Sequence, residues 1–326
     1  MSQMNKIFEK VNEIGWLNLL PRGSRWVKRL LDENYRNIFL RSTLVTRLFP
    51  FHQPPILLLS YPRSGSSWAG VVLSRSKNLT YSFEPVTRPY QKYQAGQAMV
   101  DLTDPAVYQL YLQYSQDAFQ GKPPKEWDGS ENPADFSLFG RKQRQLFIKE
   151  VNPRATELYC TYFQPIILFL VRHPAAVALS FWEQGWLASP DVHQDISDQP
   201  GDDWEKFGYA YGLSLKNALE TIERFEIAHQ TVFYEPLAHD PFGEFQKIFT
   251  YLGVTPPENY AEIIDEFCLS GTGIQGYETR RVSRMMIEKW KEKLSPDQMI
   301  NVRRGYQRSG FRYYQSEHDW ELDVSD

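Results

Sequence analysis

Ile56-Leu57-Leu58-Leu59-Ser60-Tyr61-Pro62-Arg63-Ser64-Gly65-Ser66-Ser67-Trp68 is the stretch whose reading decides the fold. The apolar run Ile56 to Leu59 reads as a strand buried on both faces, as parallel strands are. Pro62 ends it. Ser64, Gly65, Ser66 and Ser67 are small residues that let the backbone turn tightly and supply a helix N-cap. From Trp68 to Ser76 the periodicity is helical. Strand, small-residue loop and helix N-terminus together make an anion cradle, because unpaired backbone N–H groups, the positive helix end and hydroxyl donors converge on one spot. Arg63 adds a fork of donors suited to phosphate or sulfate oxygens. The Walker pattern G-x-x-x-x-G-K-[ST] is absent, and no lysine opens the helix for a γ-phosphate.

Tyr61-Pro62-Arg63-Ser64-Gly65-Ser66-Ser67-Trp68 resembles the 5′-phosphosulfate loop of sulfotransferases that use 3′-phosphoadenosine-5′-phosphosulfate (PAPS). The resemblance implies that Arg63, Ser64, Gly65, Ser66, Ser67 and Trp68 bind the nucleotide, with Trp68 at the adenine.

A chain of 326 residues has room for one large α/β domain or two small ones, and 42 % hydrophobic residues suffice for a core. The formal net charge of -4 gives no global basic field to recruit nucleic acid, so an anion pocket must be built locally. Two cysteines, Cys160 and Cys268, make no disulfide framework; they read as core or helix residues in a reducing, cytoplasmic compartment. No Cys/His cluster suggests a metal. Residues 1–54 contain no apolar run long enough to span a bilayer and no secretory pattern. Between Ile7 and Leu31 their apolar spacing suggests short amphipathic helices that would pack on the main domain or lie on a membrane surface. Beside the resemblance, the missing membrane anchor implies a soluble bacterial relative.

A second strand-to-helix junction strengthens the reading. Pro165 to Val171 is the clearest buried strand; Arg172-His173-Pro174 ends it, and a helix from Ala175 to Trp186 follows with Pro174 near its first position. An arginine at a strand tip and Ser180 in the next helix can converge on one phosphate. The run from Val171 to Ser180 resembles the family's 3′-phosphate signature, which implies that Arg172 and Ser180 hold that group. Two phosphate motifs in the right order, each after a strand, make coincidence a poor account.

The remaining candidates lie at other strand ends. Leu79 to Pro85 reads as a short strand or an extended loop, and Phe83-Glu84-Pro85 resembles a segment of carbohydrate-type sulfotransferases in which the glutamate is the base. Gln145 to Glu150 reads as a central strand with Lys149 near its carboxyl end, where open α/β sheets bind ligands. The resemblance implies that Lys149 contacts the transferred group. Members with a histidine base carry it two residues later; Val151 stands here, which shifts the base to Glu84 with Glu150 as runner-up. Residues 87–144 form an aromatic-rich insertion, helical near Asp104 to Phe119, where the family places acceptor-binding structure.

Ala188 to Asp203 reads as an acidic exposed loop, Trp204 to Ala228 as a helix, Gln230 to Glu235 as a strand, and Phe242 to Leu252 as a helix stopped by Gly253. Tyr234 matches a family tyrosine that approaches adenine. Ser270 to Gly273 reads as a loop, and a helix is expected over Met285 to Leu294. The family's Arg-Lys-Gly at the 3′-phosphate is missing, and among Arg280, Arg281 and Arg284 the choice falls on Arg281. The tail from Asp319 is acidic and expected to fray.

The resemblance, covering roughly residues 55–310, implies an α/β, P-loop-like three-layer domain with a mostly parallel central sheet flanked by helices. It is preceded by the helical extension 1–54 and followed by a tail, 311–326. The reaction it implies is sulfuryl transfer from PAPS to the hydroxyl of a small-molecule or saccharide acceptor, leaving 3′-phosphoadenosine-5′-phosphate (PAP), without a metal. Glu84, Lys149 and Arg63 would carry the chemistry. A small lipid-like or phenolic alcohol as acceptor, or a non-catalytic nucleotide-binding scaffold, stands as the alternative.

Overall fold

Strand β1 (Ile56–Ser60) is buried along its whole length, as a continuous apolar run demands when both sheet faces are covered. The computed structural model describes residues 39–93, 99–100, 102–124, 131–189, 198–269 and 283–320. β2 (Leu79–Phe83), β3 (Gln145–Glu150), β4 (Ile166–Val171) and β5 (His229–Phe233) complete a sheet ordered β2-β3-β1-β4-β5. All four pairings are parallel; Leu58 lies opposite Lys149 on one side and Leu168 on the other.

The chain divides into two compact units, residues 1–50 and 51–326. The described part of the first holds helix α1 (Thr43–Leu48). In the second, α2 (Ser66–Leu73) follows β1 and α3 (Thr87–Tyr93) follows β2. α4 (Pro105–Phe119) starts where the sequence indicates, because the Asp104 carboxylate accepts from the Ala106 and Val107 N–H groups. α5 (Leu138–Gln143) leads into β3, and α6 (Thr156–Tyr162) into β4. α7 (Pro174–Glu183) and the long α8 (Asp203–Arg224) lie between β4 and β5. α9 (Tyr234–His239), α10 (Pro241–Leu252), α11 (Tyr260–Ile264), α12 (Lys289–Lys293) and α13 (Pro296–Ser309) complete the unit.

Strand alternation sorts the core into two layers. Leu57, Leu59, Ile148, Ile167 and Phe169 pack with Leu158, Val177, Tyr211 and Val302 from α6, α7, α8 and α13. Ile56, Leu58, Phe147, Leu168 and Leu170 pack with Trp68, Phe245 and Ile263 from α2, α10 and α11. The helix after β1 therefore covers one face and the helix after β4 the other. Neighbouring strands whose connections leave to opposite faces open a crevice at their carboxyl ends, the usual ligand position in such sheets. Here that crevice lies at the tips of β1 and β4.

Three expectations change. Tyr234 and Glu235 open α9 instead of ending β5. The helix expected over Met285 to Leu294 is a 3₁₀ turn at Ser283–Met286 and the short α12. Pro296 holds Ser295 extended, and Ser295 with Gln298 forms a capping box that starts α13. The tail does not fray at Asp319: His318–Trp320 is a 3₁₀ turn, Trp320 is buried, and its indole N–H donates to the Tyr314 carbonyl at 2.9 Å. The helices expected between Ile7 and Leu31, residues 190–197 of the acidic loop, the 270–273 loop, Arg280 and Arg281 lie outside the described residues.

Candidate active site

The small-residue loop turns as its sequence requires. Gly65, at φ 93°, occupies the N-cap position of α2 with no side-chain cap, so the expected hydroxyl cap is replaced by a glycine turn. A Cβ there would come within 2.5 Å of the Tyr234 ring, so a side chain is excluded twice over. Arg63 is left-handed as well, at φ 68°. Ser66 Oγ accepts from Ser60 Oγ at 2.7 Å, and the Ser64 N–H donates to the Tyr61 carbonyl at 3.3 Å. Ser64 is buried, whereas Arg63, Gly65 and Ser67 keep partial exposure and form the rim.

The β4 junction closes on this loop. Arg63 Nε donates to Ser180 Oγ at 2.9 Å, joining residues 117 positions apart. Arg172 donates through Nη1 to the Arg63 carbonyl and through Nη2 to the Met286 carbonyl, each at 3.1 Å. Its guanidinium carbon lies 4.2 Å from the centre of the Tyr234 ring. Arg172 Nε and Tyr234 Oη are buried with no hydrogen-bond partner among the described residues. Unpaired buried donors at a cationic crevice fit an anionic ligand that would supply acceptors. Trp68 and Tyr234 offer no open ring face. Trp68 donates its indole N–H to the Phe267 carbonyl at 3.0 Å and packs on Tyr234 and Phe245.

The other half of the edge, at β2 and β3, brings Glu84 and Lys149 together. Lys149 is 1 % exposed and donates to Glu84 Oε1, with Nζ 4.5 Å from the centre of the Phe83 ring. Glu84 is 15 % exposed and left-handed, at φ 45°, and its N–H donates to the Lys149 carbonyl at 2.8 Å. Left-handed backbone in a residue with a Cβ costs about 1–3 kcal/mol and gathers at functional turns. Glu150 leaves the strand on the opposite face from Lys149, as a period of two requires. It is fully enclosed, and burial, reinforced by the Glu84 charge, pushes its carboxyl up to about 7 despite the opposing hydrogen bonds and Lys149.

Sequence reasoning missed the support behind Arg172. His173 stacks on Trp290 with ring centres 4.4 Å apart. Its Nδ1 accepts from the Ala175 N–H, and its Nε2 donates to the Asp319 carbonyl at 3.0 Å. Burial, aided by Lys291 and Arg172, holds its pKa down at about 3, so it is neutral. Its backbone N–H donates to Glu235 Oε1, whose other oxygen accepts from Tyr314. Pro174 at the first helical position signals only the helix start; the stacking partners lie over a hundred residues away. Arg281 is outside the described residues, while Met286 from the same segment reaches Arg172. Both cysteines are buried and outside any disulfide among the described residues, with burial pushing the thiols up to about 11 at Cys160 and about 12 at Cys268. A cleft of about 540 Å³ between α4, α6 and α8 is lined by Tyr108, Arg154, Glu157, Ser214 and Asn217, among others, and by no candidate site residue.

No curated protein sequence matches the chain. In fold, the chain is similar to a sulfotransferase domain from the curacin biosynthetic pathway, with 16 % identity over 79 % of this chain and 98 % of that one, at a TM-score of 0.48. It is similar to the sulfotransferase domain of the Synechococcus PCC 7002 olefin synthase, with 19 % identity over 81 % and 98 % of the two chains, at 0.46. A mouse sulfotransferase complexed with PAP shares 14 % identity over 83 % and 88 %, at 0.45. Residues 164–316, which include the β4 junction, α8 and the Trp290 element, match the family model described as a sulfotransferase domain. That match spans just under half of the chain.

Proposed function

We propose that the protein transfers the sulfuryl group of PAPS to an acceptor hydroxyl. The observation that carries the reading is the row of cationic groups along one sheet edge. Arg63, Arg172 and Ser180 meet at the tips of β1 and β4, and Lys149 stands at the tip of β3 against Glu84. Arg172 and Ser180 would hold the 3′-phosphate, and Arg172 Nε, buried with no partner among the described residues, has a donor to offer it. Arg63 and the backbone of Ser64, Gly65, Ser66 and Ser67 would hold the 5′-phosphosulfate at the start of α2. Arg281 remains the proposed additional 3′-phosphate contact. For Trp68 and Tyr234 to meet adenine, the cover formed by Phe267 and Met286 must shift, since both rings are enclosed.

In-line displacement needs charge stabilised on the leaving side and a proton removed on the attacking side. Lys149 would turn from Glu84 to the sulfuryl oxygens, and Glu84, freed of its cation, would accept the acceptor's proton. Glu84 is the more exposed of the pair, as a group that must meet a second substrate should be. The reaction needs no metal. A saccharide hydroxyl is the proposed acceptor, because Phe83-Glu84-Pro85 follows the carbohydrate-type pattern and residues 87–144 supply aromatic surface. A cytoplasmic setting and a soluble, bacterial source complete the proposal.

The test is turnover of labelled PAPS with pooled saccharide, phenol and lipid-like alcohol acceptors, read by mass spectrometry, beside titration of PAP against ATP. Sulfated product and a preference for PAP are expected. Tight PAP binding without turnover on any pool would make the protein a nucleotide-binding scaffold.

A further inference from the structure

Glu150 is buried in an array that the chemistry above does not use. Its Oε1 accepts from the Val86 N–H at 2.7 Å and from the Thr87 N–H at 3.3 Å; its Oε2 accepts from the Thr87 N–H at 3.3 Å and from Thr87 Oγ1 at 2.5 Å. Thr87 Oγ1 lies 3.3 Å from Tyr111 Oη, which is itself 3.3 Å from Tyr159 Oη and accepts from Asn152 Nδ2 at 3.3 Å. Every one of these residues is buried. They come from four places: the turn after β2, the end of β3 with the residues just beyond it, α4 and α6. Only Pro85 separates Glu84 from the first anchored amide.

The Glu84 turn is thus held from both sides. Ahead of it, the Glu84 N–H is fixed to the Lys149 carbonyl; behind it, two amides and a hydroxyl are fixed to Glu150. We propose that Glu150 is a positioning residue, which acts through Thr87 and the turn backbone to hold Glu84 in its left-handed conformation opposite Lys149. Tyr111 ties this anchor to α4, the helix of the insertion. The inference rests on the reading of Glu84 as the proton acceptor. It also removes Glu150 from contention as the base. Its carboxylate is enclosed, it faces away from Lys149, and its oxygens are occupied by the turn.

The charges around Glu150 agree with this role. Glu84 from the turn and Lys149 from β3 act on it in opposite senses, while Tyr111 from α4 and Tyr159 from α6 face it with hydroxyls that burial keeps protonated. The enclosure that raises this carboxyl to about 7 also keeps an acceptor from reaching it, and the hydrogen bonds from Thr87 and the Val86 amide act in the opposite sense, favouring its charged form.

The test uses Thr87, which lies outside the proposed reacting groups. Thr87→Val removes the hydroxyl at nearly constant shape, Thr87→Ser restores it, and Tyr111→Phe cuts the tie to α4. Hydrolysis of labelled PAPS to PAP and sulfate needs no identified acceptor. Thr87→Val should lower it at least about 10-fold, since small misplacements of reacting groups cost rate steeply. PAP affinity should stay unchanged, and Thr87→Ser should recover most of the rate. Hydrogen exchange at the Val86 and Thr87 amides should quicken in Thr87→Val and, less, in Tyr111→Phe. Wild-type hydrolysis in Thr87→Val, with Glu84→Gln inactive, overturns the positioning role and leaves the base standing. An active Glu84→Gln instead overturns the base; the array then stands or falls on the exchange data, and unchanged exchange in Thr87→Val refutes it.

Discussion

The carboxyl edge of the sheet has two halves, and they handle charge in opposite ways. At β1 and β4, the hydrogen-bond partners of Arg172 are two backbone carbonyls and its ring contact is Tyr234. Such partners orient a guanidinium without pairing it to a carboxylate, and its charge also acts on the buried Glu235. At β2 and β3, Lys149 meets the Glu84 carboxylate and the pair cancels. A cation held by carbonyls is ready to bind, whereas one held by a carboxylate must first exchange partners. Under the proposed function the first half would serve affinity and the second a step conditional on the ligand's arrival.

The largest effect that separates the halves is on turnover. Glu84→Gln keeps the shape of the corner but removes its basicity, so transfer should fall about 10²–10⁴-fold with PAP affinity nearly intact. Steady-state rates beside calorimetric PAP titration check both halves at once. A parallel loss of PAP affinity would erase the division between binding and reacting ends.

A second effect tests how deeply the β2–β3 half is buried. Glu150, raised from its ordinary 4.5 to about 7, holds a proton more tightly in the folded chain than in the unfolded one. Its contribution is therefore most favourable below pH 4.5 and is lost as pH rises through about 7, a change on the order of 3 kcal/mol. Urea unfolding of the wild type and of Glu150→Gln at pH 5 and pH 8 reads it as a difference that widens in favour of the variant at pH 8. A constant difference between the two pH values would mean that the carboxyl is solvated.

Much of this was legible in the sequence, and what was not has physical causes. β1 and β4 declared themselves because strands covered on both faces must be apolar throughout, and Pro174 and Asp104 marked their helices by local chemistry. The meeting of Arg63 with Ser180 follows once two strand-to-helix junctions are placed side by side. The left-handed turn at Glu84 was hidden because nothing in the residue type asks for it; it goes with contacts to Lys149 and to the neighbouring turn that only the fold brings together. Glu150 sits next to Lys149 in the chain, yet strand alternation turns it to the opposite face of the sheet, a consequence that a period of two makes available to any reader. The stacking of His173 on Trp290 and the docking of Trp320 depend on long-range packing that local spacing does not encode. The Ser295–Gln298 capping box, by contrast, is a local signal that the sequence carries.

Returning to the crevice, Arg172→Ala should weaken PAP by about 1.5–3 kcal/mol, roughly 10- to 150-fold, through loss of charge-assisted bonds. The analogue lacking the 3′-phosphate should bind almost as before. Titration of both ligands decides it, since equal losses would take Arg172 off the 3′-phosphate and leave it as a brace between the Arg63 and Met286 carbonyls.

The smallest expected effect is the most specific to the comparison, because it asks whether the two phosphate motifs act as one. Ser180 Oγ accepts from Arg63 Nε, so it both faces the proposed 3′-phosphate and orients the side chain assigned to the 5′ end. Removing a neutral hydroxyl costs about 0.5–1.5 kcal/mol, so Ser180→Ala should weaken PAP about 2- to 12-fold. Arg63→Ala should weaken it more, since a charge is lost. The informative quantity is the double variant. If the 2.9 Å bond aligns Arg63 for its ligand, Ser180→Ala should cost less once Arg63 is gone, and the cycle should show a coupling beyond the few tenths of a kcal/mol seen for independent sites. Full additivity would mean that the junctions after β1 and β4 bind their ligands separately. The crevice would then be two anion sites sharing a wall, and its contrast with the coupled Glu84–Lys149 corner would sharpen.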